Sequence, residues 1–261
     1  MVHWGIGKAN EMTKNSIGYR ACEYSNVKSQ PWRLWVEKYT LVQLFSEYKI
    51  DFNNKQVGDF GSGTGLYSRL LIDLGAKQVL AIEGDSNMIK QAKKESQDYR
   101  DAIQYNEAWV QDTAGRHELD MILGSYLLSY PKTKGELRQY VGAISTHLSN
   151  GGIFIGFGNN TEERLSTTAY TPYGFVKVHQ ADHEADYDGA WVDWHIEGLS
   201  DPIRNYNLYK ETYESVFLEY NMTLQWHAPK LHPSQNKNPI WGNFFKNTPP
   251  VMAMVATKNN H

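Results

Sequence analysis

The chain of 261 residues has a single cysteine, Cys22. A disulfide framework within the chain is therefore impossible, and a reducing compartment is its natural home. It also lacks any run of about 18 apolar residues, the length an α-helical membrane span needs. The opening MVHWGIGKANEM has no apolar core of the kind a secretory signal peptide carries. These absences lead to the expectation of a cytoplasmic protein with no membrane partner. Basic excess is missing too: 26 Lys and Arg stand against 29 Asp and Glu, a net charge of −3. With no basic stripe, nucleic acid is not an expected partner. The cluster Lys90, Lys93 and Lys94 reads as a solvated helix face. There is no internal repeat and no low-complexity segment.

Aromatic residues, by contrast, are plentiful: 17 Tyr and 8 Trp, gathered before residue 50 and after residue 170. Between them the pattern alternates strand and helix. Gln56–Phe60 is a short apolar run, and Leu66–Leu74 has helical spacing and stops at Gly75. Gln78–Ile82 is a second strand, and Ser86 is placed to cap a helix reaching about Ser96. Leu119–Gly124 reads as a third central strand. Lys134–His147 is helical, Asn150-Gly151-Gly152 breaks it, and Ile153–Phe157 is a further buried strand. Such alternation predicts an α/β fold, a doubly wound and mostly parallel sheet with helices on both faces. An N-terminal helix is expected over residues 32–48, within a helical segment 1–50. Residues 160–205, rich in Tyr, Trp, His and Asp, break the rhythm and read as an inserted cap over the sheet. Leu208–Tyr220 returns to helix, and Thr223–Trp226 and Val251–Thr257 are closing strands. The whole chain, 1–261, is expected to be one domain.

Residues 57–65 read VGDFGSGTG. The strand ends near Asp59, and Gly61, Gly63 and Gly65 turn the chain tightly into a helix. Glycine suits unusual backbone angles and lets a ligand approach closely. The helix start exposes unpaired N–H groups to polar or anionic ligand groups. Glu83, in LAIEGDS, follows 18 residues after Gly65 (83 − 65) at the end of the next strand. A carboxylate there accepts hydrogen bonds from the ribose hydroxyls of an adenosine ligand. The G-x-G-x-G spacing differs from the G-x-G-x-x-G favoured by dinucleotide sites.

This motif resembles the first motif of class I S-adenosylmethionine-dependent methyltransferases. The likeness extends to SQPWRLWVEKYTL, GLYSRLLIDLGAKQVLAIEGDSNMI, LDMILGSYLLSY, NYNLYKETYE and the tail around WHAPKLHPS and TPPVMAMVATK. Together these are similar to small-molecule members of the toxoflavin-pathway N-methyltransferase type. The resemblance implies a seven-stranded Rossmann-like fold, S-adenosyl-L-methionine as cofactor with S-adenosyl-L-homocysteine as product, and a small-molecule methyl acceptor. Gly61-Ser62 stands where the family commonly has cysteine or alanine, and Glu83 where it commonly has aspartate. Asp59 and the backbone of Gly61, Ser62, Gly63 and Gly65 are implied to face the methionine tail. Glu83 is implied to hold the ribose, Gly84 and Met88 to flank the adenosine, and Asp112 to meet the adenine amino group. Ser125 and Tyr126 would line the floor near the sulfonium. Tyr19 and Arg33 would come from the N-terminal segment, Arg33 as a partner for the cofactor carboxylate.

Methyl transfer depends on holding a nucleophile close and aligned with the methyl carbon. A general base is useful only where the acceptor carries a proton to remove. His195, in WVDWHIEG, is the candidate base or acceptor-orienting group, with Glu197 on the same face of a strand. Tyr19, Tyr24, Trp32, Trp191 and Trp194 are candidate aromatic walls. His179 and His183 stand at i, i+4 with Glu184 beside them, but HQADHEADYDG is not strongly helical and no third ligand follows, so no metal is expected. The chain has neither an Asn/Asp-Pro-Pro-Tyr/Phe signature nor a Pro-Cys pair, which argues against amino methylation of adenine or glutamine and against cytosine C5 chemistry. Three other readings stay open: a nicotinamide oxidoreductase, a cofactor-binding sensor without catalysis, and a protein methyltransferase.

Overall fold

The computed structural model describes residues 21–113, 115–163, 167–180, 187–246 and 248–260. Helix α1 (Ala21–Val27) comes first, followed by a π-helical stretch (Arg33–Lys38) that runs on into α2 (Tyr39–Glu47). The alternating core then follows: β1 (Gln56–Phe60), α3 (Leu66–Asp73), β2 (Gln78–Glu83), α4 (Ser86–Glu95), β3 (Ile103–Glu107), β4 (Leu119–Ser125), α5 (Lys134–His147) and β5 (Leu148–Asn159). A second group of strands comes next, β6 (Phe175–His179), β7 (Ala190–Ile196) and β8 (Ile203–Asn207). The remaining elements are α6 (Lys210–Glu219), β9 (Met222–His227), α7 (Gly242–Phe245) and β10 (Val251–Lys258).

The main sheet has seven strands in the order β3-β2-β1-β4-β5-β10-β9. The pairs β1–β2, β2–β3, β1–β4 and β4–β5 are parallel, and only β10 runs against its neighbours. This is the expected doubly wound sheet. The chain steps outward from β1 through β2 to β3, then crosses to β4 on the other side. That reversal opens a crevice at the carboxyl ends of β1 and β4, where such sheets bind ligands. Two hydrophobic layers cover the sheet. One contains Leu41, Leu44, Val57, Leu71, Val79 and Ile155; the other contains Phe60, Leu137, Val141, Ile144, Phe154 and Phe217.

Several local details differ from the sequence reading. Asp85, not Ser86, caps α4, accepting from Asn87 N at 2.8 Å and Met88 N at 3.1 Å. Strand β3 was not expected as a separate element; it is the sheet edge, and most of its side chains meet solvent. Leu119–Ser125 is thus the fourth strand along the chain. The Asn150-Gly151-Gly152 break lies inside β5, where Gly151 takes φ +74° and the register with β4 shifts. Helix α5 begins at Thr133, whose hydroxyl accepts from Glu136 N, while the Glu136 carboxylate reaches back to Lys132 N at 2.7 Å.

The aromatic stretch forms an antiparallel sheet, β6-β7-β8. Trp194 of β7 stacks on Phe175 of β6 at 4.8 Å and lies 6.0 Å from Trp32 of the N-terminal segment. A buried ion cluster ties this small sheet to the main one. Lys177 of β6, fully buried, donates to Glu163 beyond β5 and to Pro250 O ahead of β10, and His179 Nε2 lies 3.3 Å from the same Glu163 oxygen. Removing one member of such a pair strands the other charge out of water. Glu163→Ala is expected to lower stability by about 3–5 kcal/mol. The double change Glu163→Leu with Lys177→Met is expected to cost less than the sum of the single changes. Denaturant midpoints of the variants check both statements.

Candidate active site

The glycine turn is built from three left-handed residues. Gly61, Gly63 and Gly65 take φ of +71°, +55° and +75°. Gly61 N and Ser62 N both donate to Ile82 O, which fastens the turn to β2. At Gly65 a side chain has no room, because a Cβ would stand 2.3 Å from the Tyr105 hydroxyl. Gly65 is also the N-cap of α3 and makes no side-chain cap bond. The unpaired N–H groups of that helix start therefore face the crevice.

Two carboxylates flank the turn. Asp59, at the end of β1, is 2 % exposed, and Ser68 Oγ donates to it at 2.5 Å. Burial pushes its carboxyl up to about 6, against the opposing pull of the Ser68 bond and of Lys28 and Arg69. Glu83, at the end of β2, is half-buried and also raised by burial. One Glu83 oxygen accepts from Gly63 N at 2.8 Å, the other from Asp85 N at 2.9 Å. Each oxygen has two acceptor sites, so both keep capacity for further donors. Next to it, the Trp109 indole lies so close over Gly84 that a Cβ there would meet it at 2.3 Å. Met88 is buried in α4, and Asp112 is exposed in the 3-10 turn after Trp109.

A buried polar network crosses above the turn. Glu37 accepts from Arg33 at 2.8 Å, from Tyr67 at 2.5 Å and from Ser125 at 3.1 Å. Burial alone would raise its carboxyl, but Arg33, Lys28 and the two hydroxyls hold it below the usual value. Arg33, expected as a partner for the cofactor carboxylate, is thus paired with Glu37. Among the described residues its Nε nevertheless has no hydrogen-bond partner, and neither does Ser62 Oγ. Tyr126 follows Ser125 in a left-handed conformation, φ +61°, unusual for a bulky residue. Burial and then Glu37 raise its phenol well above the usual value, so it is a proton donor at neutral pH.

Beside this network lies a narrow cleft walled by Tyr24, Trp32, Arg33, Tyr126 and Tyr130 on one side and Trp194, Ile196, Ile203 and Asn205 of the small sheet on the other. Tyr24 belongs to both places, since a Cβ on Gly63 would touch its ring at 3.4 Å. Trp194 and Ile196 face this cleft, so alternation along β7 turns His195, lying between them, to the opposite face. Glu197 lies just beyond β7, its N–H bonded to Gly174 O. Tyr19, His183 and Glu184 lie outside the described residues. Among the described residues no cluster of His, Cys, Asp and Glu could hold a metal ion. Glu37, Tyr67, Tyr105 and Trp109 were not singled out from the sequence. Only the Arg33/Glu37 spacing of four on a helix offered a signal, and it reads as an ordinary surface pair.

A methyltransferase-domain family model matches residues 57–152, from the glycine turn through β4 and into β5. Residues 57–152 are thus similar to a methyltransferase domain. The protein is an enzyme, as the family resemblance implied. No curated protein matches the chain. Solved structures agree with the fold. An S-adenosylmethionine-dependent methyltransferase from Clostridium acetobutylicum is 14% identical over 93% of this chain and 99% of that one, with a TM-score of 0.62. One from Mesorhizobium loti is 15% identical over 82% and 96%, with a TM-score of 0.60. A DhpI–SAM–HEP complex is 14% identical over 92% of both chains, with a TM-score of 0.56.

The raised Asp59 carboxyl gives a pH signature. An unfolded aspartate titrates near about 3.9, below its folded value of about 6. The protonated form therefore favours the fold. Its contribution is complete below the unfolded value and is lost as pH rises through the folded one. Asp59→Asn should gain stability relative to the parent, by up to about 3 kcal/mol, between about pH 4 and pH 7. Urea midpoints across that range test the sign; a difference independent of pH would refute it.

Proposed function

We propose that the protein transfers the methyl group of S-adenosylmethionine to a small-molecule acceptor held in the aromatic cleft. The observation that carries this reading is the position of Tyr24, packed against Gly63 of the glycine turn and lining the cleft as well. Cofactor loop and cleft are thus neighbours, and the small sheet covers the cleft.

The residues present fit the cofactor. Glu83 keeps acceptor capacity on both oxygens for a ribose diol. Gly84 and the Trp109 face offer a flat apolar seat for a purine. Asp59, short of partners and raised by burial, gains from a nearby ammonium group, and Ser62 Oγ is an unused polar atom in the same turn. Arg33 Nε is available to a carboxylate or to the acceptor. Met88 forms the buried base under the adenosine side, and Ser125, held by Glu37, sets the floor. Asp112, exposed beside Trp109, is placed to meet an amino group at the rim.

Bound there, S-adenosylmethionine supplies a methyl carbon activated by positive sulfur, and transfer is an in-line displacement. The protein supplies alignment, which in favourable cases is worth roughly 7–11 kcal/mol. Tyr126, kept protonated, orients the acceptor by hydrogen bonding and takes up no proton. The rings of Tyr24, Trp32 and Trp194 exclude water and give π-faces to the positive charge.

Two measurements test the reading. Calorimetric titration with S-adenosylhomocysteine is expected to show binding, weakened about 10- to 100-fold by Glu83→Ala. Methyl-labelled S-adenosylmethionine, incubated with protein and a size-fractionated cell extract, is expected to label the small-molecule fraction. Label confined to macromolecules would overturn the acceptor class.

A further inference from the structure

The aromatic cleft carries polar hydrogens that nothing among the described residues accepts. Trp194 Nε1 and Arg33 Nε are buried donors with no partner, and both residues line the cleft. Tyr126 Oη is a third; Glu37 is its polar neighbour, and no described group accepts its hydrogen with good geometry. The three residues are 2 %, 3 % and 8 % exposed. Buried donors without acceptors are costly, typically about 1–3 kcal/mol each. Three of them around one cleft mark a place that an acceptor-rich ligand completes.

The cleft offers no negative charge in return, and its one amide acceptor is Asn205 Oδ1. No histidine, aspartate or glutamate is among its lining residues. The nearest carboxylate, Glu37, already accepts from Arg33, Tyr67 and Ser125. A cationic amine would meet three donors and, among the lining residues, no carboxylate to balance its charge, which is unfavourable in a desolvated site. No described group lining the cleft is suited to remove a proton, since Tyr126 and Tyr130 are both raised and hold their own. The acceptor is therefore one whose nucleophilic atom needs no proton removed within the cleft. The walls are flat indole and phenol rings, which suit a planar ligand.

We propose that the methyl acceptor bound in this cleft is a flat ring carrying a conjugated oxyanion, a phenolate or ring enolate, held by Trp194 Nε1, Tyr126 Oη and Arg33 Nε. This deepens, and rests on, the reading of the cleft as the acceptor site. Donors converging on one oxygen stabilise it in the manner of an oxyanion hole. They lower the affinity for a neutral or cationic analogue in the same measure as they favour the anion.

The probe is 4-nitrophenol, whose visible absorbance reports its ionisation, titrated into protein saturated with S-adenosylhomocysteine. Benzylammonium is the cationic competitor. Bound 4-nitrophenol is expected to ionise about one pH unit lower than the free compound, and benzylammonium is expected not to displace it. Trp194→Phe keeps a ring and removes the N–H; it should weaken 4-nitrophenolate binding about 10-fold and leave S-adenosylhomocysteine affinity unchanged. Tyr126→Phe is the second variant, with the same expectation for the probe. Failure of the probe to bind, ionisation at the free value, displacement by benzylammonium, or unchanged probe affinity in both variants would each overturn the proposal. Absence of S-adenosylhomocysteine binding by the parent protein is a different failure, that of the cofactor reading itself.

Discussion

The buried carboxylate of Glu37 is the interaction on which the site depends. It brings together three parts of the chain that are far apart in sequence: Arg33 on its own helical stretch, Tyr67 on α3 and Ser125 at the end of β4. An isolated carboxylate at that depth would be prohibitively unfavourable, and a single ion pair would scarcely compensate. Three donors, one of them charged, make it stable as an anion. In return the N-terminal segment is fixed against the carboxyl ends of the parallel strands. From that anchorage Trp32 reaches Trp194 of the small sheet, and Tyr24, a helical turn or two earlier, lies over the glycine turn.

Much else in the architecture serves to keep the two sheets in one relation. Lys177, Glu163 and the carbonyl of Pro250 join β6 to the ends of β5 and β10. On the far side Ser200 bonds to Glu23 of α1, while Ser25 of the same helix bonds to Glu95 of α4. Helix α1 is thus a strut between the small sheet and the helix that follows Glu83. The site is enclosed by three separately anchored pieces: the strand ends, the strut and the small sheet.

The cofactor half of this arrangement was legible because it is local. A strand, three glycines and an acid at the end of the next strand are close in sequence, and backbone geometry demands those residue types. Gly65 shows this directly, with its positive φ and no room for a Cβ. Arg33, Ser125 and Tyr126 were reached by resemblance, and their surroundings could not be foreseen. Glu37 looks like one more charged helical residue until α3 and β4 close around it. Strand β3 was missed because Gln104, Asn106 and Glu107 are polar, as suits an edge. The small sheet was unreadable for the opposite reason. Val192, Asp193 and Trp194 are successive residues and all buried, so the period of two that announces a strand is erased. His195 illustrates the cost: its chemistry suggested a base, but only the register of β7 reveals which face it occupies.

Strand β10 lies between β5 and β9 and is the one strand antiparallel to its neighbours. It is also the last of the strands in chain order. During synthesis, β5 therefore leaves the ribosome with one flank unpaired, and β9 has nothing to join until residues 251–258 emerge. The Pro250 carbonyl that receives Lys177 arrives with them. Sheet closure and docking of the small sheet are in this way delayed to the same moment. Until then a nascent chain exposes an apolar strand edge that a chaperone, or another nascent chain, is free to cover.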